Sequence, residues 1–185
     1  MIVKKSSSRG FTLIETLVAV MILATAVAGP LSIASRALND ALVARDQIVA
    51  FDLAQDAVEY VRFIRDSNTL SGGDYITGAG ASSGAVDLTP CTSVNNCYLD
   101  STSNSPATPQ TCTTPACQVI NYDSSTQRYT YTAVGGTVTA TPFTRKVKLT
   151  QVTQKEYNLS VTVSWFDIAS STRSVNVSEN IYAWQ

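Results

Sequence analysis

The chain of 185 residues contains no histidine, so it lacks the usual general base of serine and cysteine hydrolases. It also lacks a phosphate-binding loop and a dinucleotide-binding glycine motif. Its carboxylates do not cluster as a pair of acid and base catalysts would. The single acids of the C-terminal part are interpreted as solvated surface residues: Asp123, Glu156, Asp167 and Glu179. These features predict a protein that is not an enzyme and has no cofactor.

Charged residues make up 15% of the chain, and none occurs between Thr16 and Ala34. An apolar run of this length can cross the hydrocarbon core of a bilayer, which takes about 20 helical residues. One carboxylate, Glu15, stands at the N-terminal end of the run. Because an ionisable group is costly in a membrane segment, its presence indicates a function.

The residues before the apolar run contain no acid. Lys4, Lys5 and Arg9 form a basic leader that the positive-inside rule places in the cytoplasm. A secretory signal peptide is cut after its apolar segment, whereas the suitable cut here follows Gly10 and precedes the segment. Cleavage at this position would leave the helix attached and would create a free amine on Phe11.

The junction between leader and helix resembles the class III signal of type IV pilins and of the related pseudopilins of type II secretion. The residues that carry the resemblance are Gly10-Phe11-Thr12-Leu13-Ile14-Glu15. In that family a membrane prepilin peptidase cuts after the glycine and methylates the new N-terminal residue, and the glutamate pairs with the N-terminal amine of a neighbouring subunit. The resemblance therefore implies cleavage after Gly10, methylation of Phe11 and an assembly role for Glu15. It extends over about Arg9 to Asn68, and the end of the helix is similar to that of minor pilins of the PilV group.

An apolar periodicity continues beyond the membrane segment and predicts that the helix continues into a globular domain as far as about Asn68. The apolar face is formed by Leu42, Val49, Leu53, Ala57, Tyr60 and Ile64. The Gly29-Pro30 pair is the predicted kink of this helix, because proline removes a backbone donor and clashes with the preceding turn.

Residues 69 to 118 read as a loop region that contributes little to the core and contains all four cysteines, Cys91, Cys97, Cys112 and Cys117. The even number and the expected export predict two disulfides. Proximity favours Cys91 with Cys97 and Cys112 with Cys117, while a nested arrangement stays open. A zinc site is the less favoured alternative, because histidine is absent and the intervening spacings of five and four residues are not those of paired knuckles.

After residue 118 a period of two predicts four antiparallel strands in meander order. They are Arg128–Val134, Phe143–Val152, Tyr157–Phe166 and Arg173–Trp184, separated by Gly135-Gly136, Thr153-Gln154-Lys155 and Ala169-Ser170-Ser171. The apolar face of the third strand should cover the helix. The expected fold class is α+β, with the architecture that the resemblance to pilins implies: a long N-terminal helix, transmembrane in its first half, packed on a C-terminal antiparallel sheet of about four strands.

The chain is accordingly divided into five parts. Residues 1–10 form the leader peptide, 11–34 the transmembrane and assembly half of the helix, 35–68 the helix packed in the globular domain, 69–118 the loop region, and 119–185 the sheet. The expected location is the cytoplasmic (inner) membrane, crossed once, with the globular domain outside the cytoplasm, and then the pilus.

Nucleic-acid binding gets no support from the net charge. Removal of the leader takes away three of the 13 basic residues and none of the 14 acidic ones, which leaves 10 against 14 and a mildly acidic chain. Arg145, Lys146 and Lys148 lie together on one predicted strand and are interpreted as a solvated strand face.

The sequence thus favours a minor type IV pilin, a structural subunit for adhesion, motility or DNA uptake. Its expected partners are prepilin peptidase, other pilin or pseudopilin subunits, and the membrane. The alternative is a minor pseudopilin of a type II secretion system. A second alternative is a membrane-tethered binding module that does not polymerise, although such an anchor would have no need for Glu15.

Overall fold

The long N-terminal helix α1 spans Leu13–Leu70. The structure, a computed structural model, describes residues 10, 12–94, 96–102, 108–113, 117–132, 138–167 and 171–183. Several predictions fall outside these residues, namely those for the leader up to Arg9, Phe11, Val134, Gly135-Gly136, Ala169-Ser170 and Trp184. The chain divides into an N-terminal unit, residues 1–45, and a globular unit, residues 46–185.

Pro30 lies inside α1 and does not end it, and the kink at Gly29-Pro30 stays a prediction. The helix ends at Leu70, slightly beyond the expected Asn68. Gly72 then adopts a φ of +78°, which is the left-handed conformation that commonly terminates helices. The amide of Gly73 donates to the carbonyl of Asn68 at 3.0 Å.

The part of α1 in the globular unit buries one face, formed by Ala50, Leu53, Ala54, Ala57, Val58, Val61, Ile64 and Asn68. The predicted apolar face agrees with this at Leu53, Ala57 and Ile64. Leu42, which was assigned to the same face, is 39% exposed. Three buried alanines allow the helix to approach the strands closely, because they add little side-chain bulk between the two backbones. The helix therefore packs on the sheet, as expected.

The sheet contains seven strands within the described residues, and these strands pair in antiparallel fashion. They are β1 Cys97–Tyr98, β2 Gln110–Thr111, β3 Val119–Asp123, β4 Arg128–Thr130, β5 Val138–Thr153, β6 Glu156–Phe166 and β7 Thr172–Tyr182. A short 3-10 helix, Thr89–Thr92, precedes β1. The α+β fold class is confirmed, and the number of strands exceeds the predicted four.

The order of the strands corrects part of the predicted meander. β5, β6 and β7 follow one another as expected, but β3 lies between β4 and β5. The long strand β5 pairs with β6 along one edge, and along the other it pairs with β3 and, at Val147, with β1. Strands β1 and β2 have two residues each, which is too short to show an alternation in the sequence. They are recognised only by their hydrogen bonds to distant strands.

The core lies between α1 and the inner face of the sheet. In β6, Leu159, Val161 and Val163 are fully buried and Trp165 is 3% exposed. Across the register Val161 faces Val147 of β5, so the apolar side chains form common rows on one face.

The loop region contributes more to the core than the sequence suggested. Tyr75, Ile76, Val86, Leu88 and Leu99 are all buried. The buried side chain of Asn68 accepts a hydrogen bond from the amide of Val86 and donates one to its carbonyl, both at 2.9 Å. This backbone-like pairing holds the chain after α1 against the end of the helix and draws its apolar residues inward.

Candidate functional site

The start of α1 carries the residues of the predicted processing and assembly site. Thr12 immediately precedes the helix; its Oγ1 accepts a hydrogen bond from the amide of Glu15 at 3.3 Å, and its carbonyl accepts one from the amide of Thr16 at 3.2 Å. Thr12 is therefore the N-cap, and Glu15 is the third helical residue. This spacing is that of a capping box, and the helix dipole favours a negative charge in this first turn.

Gly10 lies outside any helix or strand and is exposed. A Cβ added there would meet no atom of the described residues within 4 Å, its chain neighbours apart. The described part of the chain consequently gives no internal reason for a glycine at this position. A requirement for glycine would have to come from a protein that handles the chain, such as a peptidase.

An apolar surface covers the N-terminal unit. Its exposed large side chains are Leu13, Ile14, Leu17, Val18, Val20, Met21, Ile22, Leu23, Val27, Leu31, Ile33, Leu38 and Leu42. Contiguous exposed apolar surface of this kind marks a membrane or protein contact. Among the described elements, α1 is the helix that is long and apolar enough to cross a membrane.

The hydroxyl groups of this segment are satisfied within the helix. Thr16 donates to the carbonyl of Leu13 at 2.9 Å, Thr25 to that of Ile22 at 2.9 Å, and Ser32 to that of Gly29 at 2.8 Å. Such internal bonds suit a segment that is surrounded by lipid or by other apolar helices.

The carboxylate of Glu15 has no cation within ion-pairing distance in the part of the chain that the structure describes. It is also the lone charged side chain between Thr12 and Ala34. In a dry interface it would need a positively charged partner.

The globular unit contains two disulfides, Cys91–Cys97 and Cys112–Cys117, each of which closes a small loop. All four cysteines are buried, and none is free. The prediction of two disulfides is confirmed. Among the described residues there is no group of three or more metal-ligating side chains.

The disulfides lead to a first testable prediction. Cysteine labelling of the exported protein under denaturing, non-reducing conditions should detect no thiol. The double variant Cys112→Ala/Cys117→Ala should lose about 2 kcal/mol of unfolding free energy, because its unfolded chain is less constrained, while the strands stay folded. Thr113→Ala is the matched control, since it changes an exposed side chain of the same small loop and should leave the unfolding free energy unchanged. Four reactive thiols in native exported protein would contradict the assignment.

One member of the basic cluster of β5, Arg145, does not belong to the solvated face that was expected. Arg145 is 3% exposed, and its Nη1 donates to the carbonyl of Leu53 at 2.9 Å and to Oδ2 of Asp56 at 2.8 Å. Its Nη2 donates to the carbonyl of Leu99 at 2.7 Å. Arg145 therefore connects β5 to α1 and to the loop region, whereas Lys148 is exposed. The sequence did contain a signal for the burial of Arg145. In the period-two alternation of β5, Arg145 is in phase with the apolar residues and therefore on the same face of the strand.

Asp123 and Glu179, which were interpreted as solvated acids, have structural partners. Asp123 is buried and accepts hydrogen bonds from the amide and the hydroxyl of Ser125. Glu179 of β7 forms an ion pair with Arg62 of α1, and the Nε of Arg62 donates to Oε1 of Glu179 at 2.7 Å. Asp123 therefore stabilises the turn between β3 and β4, and Glu179 connects β7 to α1.

Asp100 anchors the loop region to the end of β4. Its carboxylate accepts hydrogen bonds from Thr130 Oγ1 at 2.9 Å and from the amide of Tyr131 at 3.1 Å, as well as from Thr102. Burial acts to raise the pKa of Asp100, but these hydrogen bonds outweigh it and the pKa is lowered overall. A lowered pKa in the folded state stabilises the fold above the unfolded value of about 3.9, and this contribution is lost as the pH falls through the folded pKa.

Comparison with known proteins identifies the N-terminal segment. Residues 5–29 match the family model of the prokaryotic N-terminal methylation motif, so the expected class III signal is confirmed. The motif supports a type IV pilin-like or pseudopilin precursor, anchored in the membrane by its N-terminal helix. Proteins with this motif are structural rather than enzymatic. Neither a curated protein nor a solved structure matches the chain.

Proposed function

We propose that the protein is a minor type IV pilin that is cleaved after Gly10, methylated on Phe11 and assembled through α1. The observation that carries the proposal is the position of Glu15. It is a lone carboxylate in the first turn of an exposed apolar helix, within a matched methylation motif. A helix that merely anchors a domain would not need this costly group.

Cleavage would supply the cation that Glu15 needs. Hydrolysis after Gly10 creates an amine on Phe11, and within a filament the amine of a neighbouring subunit would face the carboxylate. Charge-assisted contacts of this kind are strong where water is excluded. The apolar surface of the N-terminal unit would exclude water once it is covered by other helices.

This proposal assigns a role to each part of the chain. Residues 1–10 would be removed by prepilin peptidase, 11–34 would hold the subunit in the inner membrane and then in the filament, and 35–68 would be the part of the helix that is packed in the globular domain. The loop region 69–118, with its two disulfides, and the sheet region 119–185 would lie outside the cytoplasm.

The alternative is a minor pseudopilin of a type II secretion system. The disulfide-bearing loop region and the resemblance of the helix end to that of PilV-like proteins favour the pilus. Neighbouring genes separate the two: a retraction ATPase accompanies a pilus, and a secretin-linked secretion operon accompanies a pseudopilus.

Processing is the direct test. In cells with an active prepilin peptidase, intact-mass measurement of the membrane-extracted protein should find loss of residues 1–10 and gain of one methyl group. Gly10→Leu should remain a precursor, because a bulky side chain obstructs the peptidase next to the cut. Gly29→Leu is the matched control, since at either glycine an added Cβ meets no atom within 4 Å among the described residues beyond the local backbone. A wild-type protein that keeps residues 1–10 would rule out the class III assignment.

A further inference from the structure

An open pocket lies between the loop that follows α1 and the hairpin that joins β5 to β6. Its volume is about 410 Å³, which is within the range of pockets that bind small ligands. The loop supplies Asp74 and Thr77, and the hairpin supplies Gln151, Gln154 and Tyr157. All of these residues belong to the globular unit.

Contacts within the chain hold the two walls of this pocket in place. Oδ1 of Asp74 accepts a hydrogen bond from the amide of Thr77 at 2.7 Å, which fixes the turn of the loop. The hydroxyl of Tyr75 donates to the carbonyl of Gln154 at 3.3 Å and so joins the loop to the hairpin. The rings of Tyr75 and Tyr157 are in edge contact, with their centroids 6.1 Å apart. Because the walls are fixed in advance, a ligand would lose little free energy to ordering them.

Polar groups of the pocket remain available to a ligand. Among the described residues no hydrogen-bond partner is present for Oδ2 of Asp74, the side-chain amides of Gln151 and Gln154, or the hydroxyl of Tyr157. An amide has donors as well as an acceptor, and a phenol hydroxyl both donates and accepts. The amides and the phenol therefore suit ligand groups that are themselves donor and acceptor, which is the property of a hydroxyl.

The charge of the pocket argues against other classes of ligand. The described residues that line it include no lysine or arginine, so Asp74 would repel an anion without compensation. A divalent cation needs several oxygen ligands, whereas Asp74 is the lone carboxylate of this lining, and no group of three or more metal-ligating side chains occurs in the described ranges. An organic cation would use Asp74 and leave the amides and the phenol without a role.

We propose that this pocket binds a hexose, either as the free sugar or at the end of a glycan. The hydroxyls of the sugar would bond to Asp74, Gln151, Gln154 and Tyr157, and its apolar C–H groups would contact the ring of Tyr157. The inference goes beyond the proposed function, because it concerns the globular unit and requires neither cleavage nor assembly.

Saturation-transfer NMR on the full-length protein tests this inference. The detergent must have no sugar headgroup, because a glucoside or maltoside would compete for the pocket. The probes are glucose, galactose and mannose, each as the free sugar and as its methyl α-glycoside. With irradiation of the aromatic protons, we expect transfer to the anomeric proton of at least one hexose, and none in micelles without protein. Binding of the methyl glycoside assigns a glycan end, and binding of the free sugar alone assigns a free hexose.

Tyr157→Phe keeps the ring that contacts Tyr75 and removes the hydroxyl. Titration of the bound hexose should show about fivefold weaker affinity, which is the effect of one lost hydrogen bond. Tyr122→Phe is the matched control, because Tyr122 is also half-buried and in edge contact with a second tyrosine, Tyr129. Its affinity for the hexose should be that of the wild type.

Gln151→Leu is a second variant that does not threaten the fold, since the side chain is exposed. It should weaken binding to a similar extent, whereas Gln55→Leu, at an exposed position of α1, should not. Absence of protein-dependent transfer to every probe would overturn the inference, and so would wild-type affinity in both Tyr157→Phe and Gln151→Leu. Cleavage after Gly10 is measured separately by intact mass, so a failure of the proposed function is distinguished from a failure of sugar binding.

Discussion

Glu15→Gln should be cleaved and should remain in the inner membrane, yet it should be nearly absent from filaments. Glutamine also completes a capping box with Thr12, so this substitution keeps the start of α1 and removes the charge alone. In a dry helix interface, loss of one member of an ion pair costs about 3 to 5 kcal/mol. That energy corresponds to a decrease of more than about a hundredfold in affinity between subunits.

The measurement is the amount of each variant in membrane and sheared-filament fractions. Glu15→Ala should also be absent from filaments, since it loses the same charge. Asp52→Asn removes a carboxylate from the exposed side of the same helix and should leave the distribution unchanged. Incorporation of Glu15→Gln at the wild-type level would eliminate the assembly role of the charge.

Arg145→Met should destabilise the globular unit by about 3 kcal/mol. Methionine retains much of the apolar stem but provides no donor to the carbonyls of Leu53 and Leu99 or to Asp56. A buried acceptor that loses its partner costs about 1 to 3 kcal/mol. The charge left on Asp56 adds less, because its side chain is 46% exposed and water can solvate it.

Urea unfolding of the full-length protein in detergent, followed by tryptophan fluorescence, would measure this difference, since Trp165 is buried in the core. Lys148→Met is the matched control, because it makes the same kind of change at an exposed position of β5. The control should remain within about 0.5 kcal/mol of wild type. Equal stability of the two variants would show that the contacts of Arg145 contribute nothing net.

The N-terminal segment could be interpreted from sequence because its information is local. A basic leader, Gly10, the lone Glu15 and an uninterrupted apolar run are consecutive, and the matched motif covers residues 5–29. Strands β5, β6 and β7 could be predicted for the same reason, since each is long enough to display alternation on its own. The two small disulfide loops join cysteines that are near in sequence.

Other features depend on contacts between distant parts of the chain. Strand β3 is placed between β4 and β5 by hydrogen bonds to β5, and its five residues are too few to reveal this neighbour. Asn68 resembles a helix-ending residue in sequence, but in the fold its side chain pairs with the backbone of Val86. Such pairings have no local signature, because the partner lies elsewhere in the sequence.

The sequence by itself therefore determined the apolar N-terminal segment, the methylation motif and the α+β class, all of which are expressed in neighbouring residues. It favoured the cysteine pairing of lowest separation, but the fold decided between this pairing and a nested one. The tertiary structure alone decided that Arg145 is a core residue and that the loop region supplies buried side chains. The physical reason is that a polar side chain is buried only where the fold brings hydrogen-bonding partners to it. For Arg145 those partners, Asp56 and the carbonyls of Leu53 and Leu99, come from α1 and the loop region.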